Sequence, residues 1–326
     1  MSKLDLIVIT GPTATGKSAL SIELAKKIGG EIVSADSMQV YKHMDIGTAK
    51  PSVEEMSGIS HHMIDIVSPG EDYSVARYIV DASNCIDDII RRGKMPILTG
   101  GTGLYIDSLL SGRVFSNRGD DSLRKQLEAE YDDIGGEAML IKLGKVDVNS
   151  ASKLHENDKK RVVRALEIFI STGKTISQHD LETKTLPPRY SAIKVALTFS
   201  DRAELYKRID RRVDEMILKG LVSEVHSLLD MGVSRGNTSM QAIGYKELAD
   251  AIVDNAPGVG GDCGAGGDGV CNNIAAAVDL IKQESRRYAK RQLSWLRRDS
   301  DIKWLTWDKI VDLDGAVSLL MEWNLV

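Results

Sequence analysis

The residues Gly11-Pro12-Thr13-Ala14-Thr15-Gly16-Lys17-Ser18 match the G-x-x-x-x-G-K-[ST] pattern in full. Gly11 and Gly16 let the backbone curl so that successive N–H groups point into one hollow. The following helix begins there with the positive end of its dipole. Lys17 adds a full charge, and the Ser18 hydroxyl can ligate Mg²⁺. Such a loop holds a polyphosphate and belongs to the nucleotide- and ATP-binding type; the pattern does not say which polyphosphate. A second chemical group is Asp36, just past a short apolar run in Ser34-Ala35-Asp36-Ser37. A carboxylate there can take a proton from an attacking group, or it can be a turn or helix-cap acid. P-loop proteins that hydrolyse nucleotides carry a further strand ending in Asp, which holds Mg²⁺. The candidate strand, Met95–Thr99, runs instead into Gly100-Gly101-Thr102-Gly103.

The elements that must position these groups alternate. Strands are expected at 4–10, 31–34, 62–67 and 96–99, with helices at 17–28 and 78–92 between them. Helix 17–28 stops at Gly29-Gly30. This alternation predicts an α/β fold with a parallel sheet and right-handed crossovers. Ligands of such sheets sit at the carboxyl ends of the strands, so the phosphate loop, Asp36 and the Gly100–Gly103 turn are expected to share one crevice. Between about 113 and 188 glycine thins out and helical periodicity takes over, at 124–131, 137–145 and 157–171. That predicts a mostly helical insertion domain, with Pro187-Pro188 at its exit. Residues 1–112 and 189–326 then form a discontinuous P-loop core. A strand at 193–198 and a charged helix at 202–219 resume it.

Residues 256–271 hold seven glycines and read as a flexible loop. Beyond them, Lys282–Arg298 carries seven basic residues against the single acid Glu284. Arg287, Lys290, Arg291 and Arg298 fall on one helical face, and Ala289, Leu293 and Leu296 on the other. In a chain of net charge −5, so basic a helix suits phosphate-backbone binding. The 326 residues, 42% hydrophobic and 27% charged, suit a soluble globular protein with ample core. Three cysteines suit a reducing compartment. Cys263 and Cys271, separated by seven residues with no histidine nearby, make a poor metal site. His61 and His62 read as loop-structuring, and Trp304, Trp307 and Trp323 as packing residues. No run approaches the ~20 apolar residues of a membrane span, and no targeting pattern is present at the N-terminus. A cytoplasmic monomer is the default expectation.

Taken together the motifs resemble the tRNA dimethylallyltransferase (IPP transferase) family. The matching stretches are Gly11–Ser18; Asp36-Ser37-Met38-Gln39-Val40-Tyr41-Lys42 with Met44-Asp45-Ile46-Gly47-Thr48-Ala49-Lys50-Pro51; His62-Met63-Ile64-Asp65-Ile66; and Gly100-Gly101-Thr102-Gly103-Leu104-Tyr105. They continue with Asn157-Asp158 and Arg161 to Glu167; Gln241-Ala242-Ile243-Gly244-Tyr245-Lys246-Glu247; and Ala289-Lys290-Arg291-Gln292 with Trp295-Leu296-Arg297. Two departures are small: Ser18 stands where many members have Thr, and the glycine-rich stretch looks longer than usual.

The resemblance implies transfer of a dimethylallyl group from its diphosphate to N6 of the adenosine 3′ of the anticodon. The loop Gly11, Pro12, Thr13, Ala14, Thr15, Gly16, Lys17 and Ser18 would then hold dimethylallyl diphosphate rather than ATP, with Mg²⁺ near Ser18. Asp36 is implied as the base, Arg212 as a cation on the leaving diphosphate, and Thr102 as a group touching both substrates. Implied tRNA contacts are Asp36, Ser37, Met38, Gln39 and Thr102, with Arg124, Lys160, Arg161 and Arg164 from the insertion, which would clamp the anticodon stem. Gln241, Gly244, Tyr245 and Lys246, and Arg287, Lys290, Arg291 and Gln292 of the basic helix, complete that set. The target base must be flipped out to be reached.

Two other classes are weighed against this one. A small-molecule or nucleoside kinase explains the loop and Asp36 but leaves the basic helix and the insertion idle. It would bind ATP and ignore prenyl diphosphates. A nucleotide-dependent RNA-binding switch would show RNA affinity without turnover.

Overall fold

The computed structural model describes residues 5–113, 121–184, 187–253 and 268–323. Strands β1 (Leu6–Thr10), β2 (Glu31–Ser34), β3 (His61–His62), β4 (Pro96–Gly100), β5 (Ala192–Phe199) and β6 (Lys303–Trp307) form one sheet in the order β3-β2-β4-β1-β5-β6. Every pairing is parallel. Such a sheet is covered on both faces, and its central strands read as unbroken apolar runs. Leu6, Ile7, Val8 and Ile9 of β1 are all fully buried. The chain leaves β1 toward β2 and leaves β4 toward β5, in opposite directions across the sheet. A crevice opens at the carboxyl ends of these neighbouring strands.

Helices α1 (Lys17–Ile28), α2 (Val53–Met56), α3 (Val75–Arg91) and α4 (Gly103–Leu110) belong to the first half. Helix α1 ends at Gly29 in the left-handed conformation (φ 65°), a C-terminal geometry that favours glycine. The expected strand at 62–67 is shorter than read. β3 stops at His62 because Met63 (φ 64°) and Asp65 (φ 57°) adopt left-handed backbone, which a strand cannot carry.

The chain divides into two compact units, 1–109 with 190–326, and 110–189. The second is helical: α5 (Asp121–Ile134), α6 (Gly136–Gly144), α7 (Val148–Ala151), α8 (Lys159–Thr172) and α9 (Ile176–Lys184). It has its own core of Leu127, Met139, Leu143, Val162, Val163, Ala165 and Leu166. The first unit continues with α10 (Arg202–Leu218), α11 (Leu221–Asp230), α12 (Tyr245–Val253), α13 (Asp268–Leu296) and α14 (Leu313–Glu322). Most of the glycine-rich stretch lies outside the described residues. Cys271, placed in that loop from composition, belongs to α13. The strand β6 and the helices α11, α12 and α14 were not read from the sequence. Among the described residues no helix is long and apolar enough to cross a membrane.

Candidate active site

The phosphate loop links β1 to α1, and its shape is enforced from outside. Gly11 has φ 144°, and a Cβ there would lie 2.6 Å from the Leu197 carbonyl oxygen of β5. Ala14 (φ 65°) and Gly16 (φ 86°) are also left-handed. The carbonyls of the loop are captured one by one. Pro12 O accepts from Thr15 Oγ1 (2.8 Å) and Lys17 Nζ (2.7 Å). Ala14 O accepts from Arg208 Nε (3.2 Å), and Thr15 O from the buried Trp307 indole (2.9 Å). With these carbonyls engaged, loop amides other than that of Thr13 are left for an anion.

Cations exceed anions at this point. Burial, and then the neighbouring Arg212 guanidinium, push Lys17 down to about 7, with Asp36 opposing. Burial also lowers Arg212, against the pull of Asp36 and then Glu215. A lysine destabilised in this way gains when an anion arrives. Lys17, Ser18, Arg208, Arg211 and Arg212 line a cleft of ≈ 1140 Å³, with Lys50, Lys207 and Lys219 around it.

Asp36 and Thr102 come together beside the loop. Asp36 Oδ1 accepts from the amides of Met38 (2.9 Å) and Gln39 (3.4 Å), so the turn-acid reading holds for one oxygen. Ser37 N donates to Thr102 Oγ1 (3.2 Å), and Thr102 N to Ala35 O (3.2 Å). The glycines around Thr102 follow from crowding. A Cβ on Gly100 would meet Ala35 O at 2.2 Å, one on Gly101 would meet Gln292 Nε2 at 2.2 Å, and one on Gly103 the Trp295 ring at 2.5 Å.

Helix α13 lies over this turn with its basic face outward. Arg287, Lys290 and Arg291 are exposed, while Ala289 is fully buried. Lys282 and Arg286 are paired with Asp214 and Asp210 of α10. Gln292 faces inward rather than toward solvent: its Oε1 accepts from Thr13 N (3.1 Å) and its Nε2 donates to Gly101 O (2.9 Å).

The other implied RNA contacts fall into two sets. Lys160 and Arg161 are exposed, and Arg161 lies 3.9 Å from Asp158. Lys246 and Gln241 are exposed, and Gln241 donates to Arg235 O (2.7 Å). Others are engaged internally. Arg124 and Arg164 both bind the fully buried Glu167 (2.9 and 3.0 Å). Gly244 is buried, with its amide on Glu247 (2.7 Å). Tyr245 is fully buried, its hydroxyl donating to Glu224 (2.5 Å) and accepting from Gly47 N (3.1 Å).

Glu224 was missed from sequence. It also accepts from the amides of Asp45 (2.9 Å), Ile46 (2.8 Å) and Gly47 (3.2 Å), fixing the Met44–Pro51 loop. Lys50 clamps the same loop through Tyr41 O (3.0 Å), Asp45 and Asp65 (2.5 Å each). Glu224 sits on α11, whose buried Leu221, Val225 and Leu228 recur at helical spacing. His61 and His62, expected to structure a loop, instead form strand β3, with His61 hydrogen-bonded to Ile59 O (2.9 Å) and His62 to Glu31 (2.8 Å).

An all-parallel sheet, a braced phosphate-type loop with cations gathered around it and a carboxylate nearby define a P-loop α/β protein. The family model for IPP transferase matches residues 39–299. The tRNA dimethylallyltransferase of Acetivibrio thermocellus is 45% identical over 306 residues, 94% of this chain and 92% of that protein. That of Oceanobacillus iheyensis is 46% identical over 98% of this chain and 96% of its own length. The crystal structure of the full-length tRNA isopentenylpyrophosphate transferase from Bacillus halodurans superposes with a TM-score of 0.70 at 40% identity, covering 99% and 96% of the two chains. A eukaryotic dimethylallyltransferase acting on tRNA gives 0.79 at 30% identity, over 99% of this chain and 80% of that one. The chain belongs to the IPP transferase family.

Proposed function

We propose that the chain is a tRNA dimethylallyltransferase. It moves the five-carbon group from dimethylallyl diphosphate to N6 of the adenosine 3′ of the anticodon and releases diphosphate. The observation that carries this reading is the closeness of Asp36 to Lys17 and Arg212 at the phosphate loop, with Thr102 hydrogen-bonded to the adjacent Ser37 and Gln292 of the basic helix bonded to the loop.

The bond from the allylic C1 to the bridging oxygen breaks, and its electron pair leaves with diphosphate. The loop amides, Lys17 and Arg212 neutralise that charge. The N6–C1 bond forms as the amine attacks, and Asp36 takes the N6 proton. Its Oδ1 is held by two amides, so the carboxylate is fixed for that transfer. Thr102, anchored through Ser37 and Ala35, lies beside the reacting atoms. Mg²⁺ fits as a companion of the substrate. Among the described residues no group of three His, Cys, Asp or Glu side chains could hold a metal. Ser18 offers one exposed hydroxyl at the loop, and a hard cation fills its remaining positions with phosphate oxygens and water. When bound it would add charge neutralisation at the diphosphate.

Flipping delivers the adenine to Asp36, and the exposed cations of α13 receive the RNA backbone. The helical unit, with Lys160 and Arg161 exposed on α8, grips the anticodon stem. The protein acts in the cytoplasm as a monomer.

Single-turnover transfer of label from dimethylallyl diphosphate to an anticodon stem-loop RNA tests the reading. Label should enter the RNA with no need for ATP. ATP consumption with a small-molecule acceptor and no labelled RNA would replace this reading with a kinase.

A further inference from the structure

We infer that Gln292 is a positioning residue that couples RNA binding on the outer face of α13 to the state of the diphosphate loop. The inference rests on the transferase reading and deepens it. Gln292 is only 7% exposed, and each half of its amide has a backbone partner. Its oxygen accepts from Thr13 N, an amide of the phosphate loop, and its nitrogen donates to Gly101 O, next to Thr102. Thr13 N can only donate and Gly101 O can only accept, so the partners themselves fix the orientation of the amide. A carboxylate lacks the donor and a thioether lacks both strong groups. The side chain therefore joins the donor-substrate side of the crevice to the acceptor side, across 279 and 191 residues of sequence.

Its neighbours on the helix extend the link. One turn earlier the Tyr288 hydroxyl interacts with both Thr102 and Gln292. Three residues later the Trp295 ring covers Gly103, and its indole donates to Asp107 (2.8 Å). Positions 288, 292 and 295 thus form the stripe of α13 that meets the Gly100–Gly103 turn, with Trp295 at its exposed edge. Lys290 and Arg291, immediately before Gln292, are exposed on the outer face. RNA phosphates held at 290 and 291 restrain the same helical turn that holds Thr13 and Gly101. Two ligands that share one rigid connection bias each other's affinity, and they do so reciprocally.

The test measures the affinity of inorganic diphosphate, with Mg²⁺ in excess, by calorimetry on the full chain with and without a saturating anticodon stem-loop RNA. In wild type RNA should tighten diphosphate binding by about fivefold or more, and diphosphate should tighten RNA binding by the same factor. In Gln292→Met that factor should fall to about one, measured against the variant's own affinity for each ligand alone. Gly101→Ala provides a second variant that leaves Gln292 in place. Its new Cβ occupies the position of Gln292 Nε2 and displaces the flexible end of that side chain. The same loss of coupling is expected. Independent binding in wild type, or full coupling retained in either folded variant, overturns the inference. Label transfer is measured on the same wild-type preparation. Transfer without coupling removes only the role of Gln292, whereas absence of transfer removes the transferase reading itself.

Discussion

The Tyr245 hydroxyl donates a 2.5 Å hydrogen bond to Glu224 Oε1, and the same carboxylate accepts the amides of Asp45, Ile46 and Gly47. The distinctive Asp-Ile-Gly-Thr-Ala-Lys-Pro string is thus largely a scaffold. Its glycine leaves room for the Tyr245 ring, which a Cβ on Gly47 would approach to 2.4 Å. Glu224→Ala leaves the Asp45 and Ile46 amides and a buried phenol without this acceptor, while Gly47 N keeps the Tyr245 hydroxyl, and should lower stability by about 2 kcal/mol. An unchanged urea midpoint would show that water replaces the carboxylate without loss.

Asp36→Asn separates the two roles of that residue. The amide oxygen can still accept from Met38 and Gln39, so the turn is kept, but the base is gone. Transfer should fall by about 10²- to 10⁴-fold while RNA and inorganic diphosphate still bind. Near-normal single-turnover rates would reduce Asp36 to a turn acid.

Burial lowers Arg212 against the opposing pull of Asp36 and Glu215, and a diphosphate beside it would favour its charged form further. Inorganic diphosphate at a hundred times its Kd should stabilise wild type by about 2.7 kcal/mol. Arg212→Met should show a clearly smaller rise in Tm at the same concentration. Equal rises in the two proteins would place Arg212 outside the diphosphate site.

The cations of α13 should differ in their effect on RNA. Lys290→Ala and Arg291→Ala should each flatten the slope of log K against log salt by about one unit or less. Arg286, Lys282 and Arg287 are tied to Asp210, Asp214 and Glu284, so their removal should change the slope less. Salt titrations by fluorescence anisotropy read the difference, and equal slopes throughout would discard the assigned face.

Far from the crevice, Glu31 begins β2 with 4% of its side chain exposed, bound to Arg92, Lys94 and His62. Arg92 foremost holds its carboxyl well below the usual range; burial opposes this, and Lys94 and His62 reinforce it. A carboxyl lowered on folding stabilises the native state above its unfolded value of about 4.3. That contribution is lost progressively as the pH falls below it. Glu31→Gln should therefore be less stable at pH 7 and show a shallower acid transition. Parallel acid-unfolding curves would contradict this account.

What the sequence revealed and what it hid differ in range. The phosphate loop, Asp36 and the Gly100–Gly103 turn are local patterns set by backbone geometry within a few residues, so they can be read along the chain. Helix α1 and strand β2 fall at their expected limits because apolar periodicity and flanking glycines mark them. The inward roles of Gln292, Tyr245 and Glu224 could not be read in this way. Each depends on a partner more than a hundred residues away, and a polar side chain in a basic helix looks the same whether it faces RNA or a buried amide. β6 was overlooked because Lys303-Trp304-Leu305-Thr306-Trp307 is short and reads as aromatic packing. Its register against β5 brings the Trp307 indole to the phosphate loop.

The capture of the loop carbonyls by Arg208, Trp307 and other distant groups has a consequence for biosynthesis. The first β-strand, the loop and the first helix leave the ribosome early, yet the parts that give the loop its shape follow almost 300 residues later. Loop closures of that length form slowly. A nascent chain therefore carries the complete phosphate-loop motif for most of its synthesis without a competent pocket. Affinity for diphosphate becomes a late reporter of folding, acquired only once the final strand has joined the sheet.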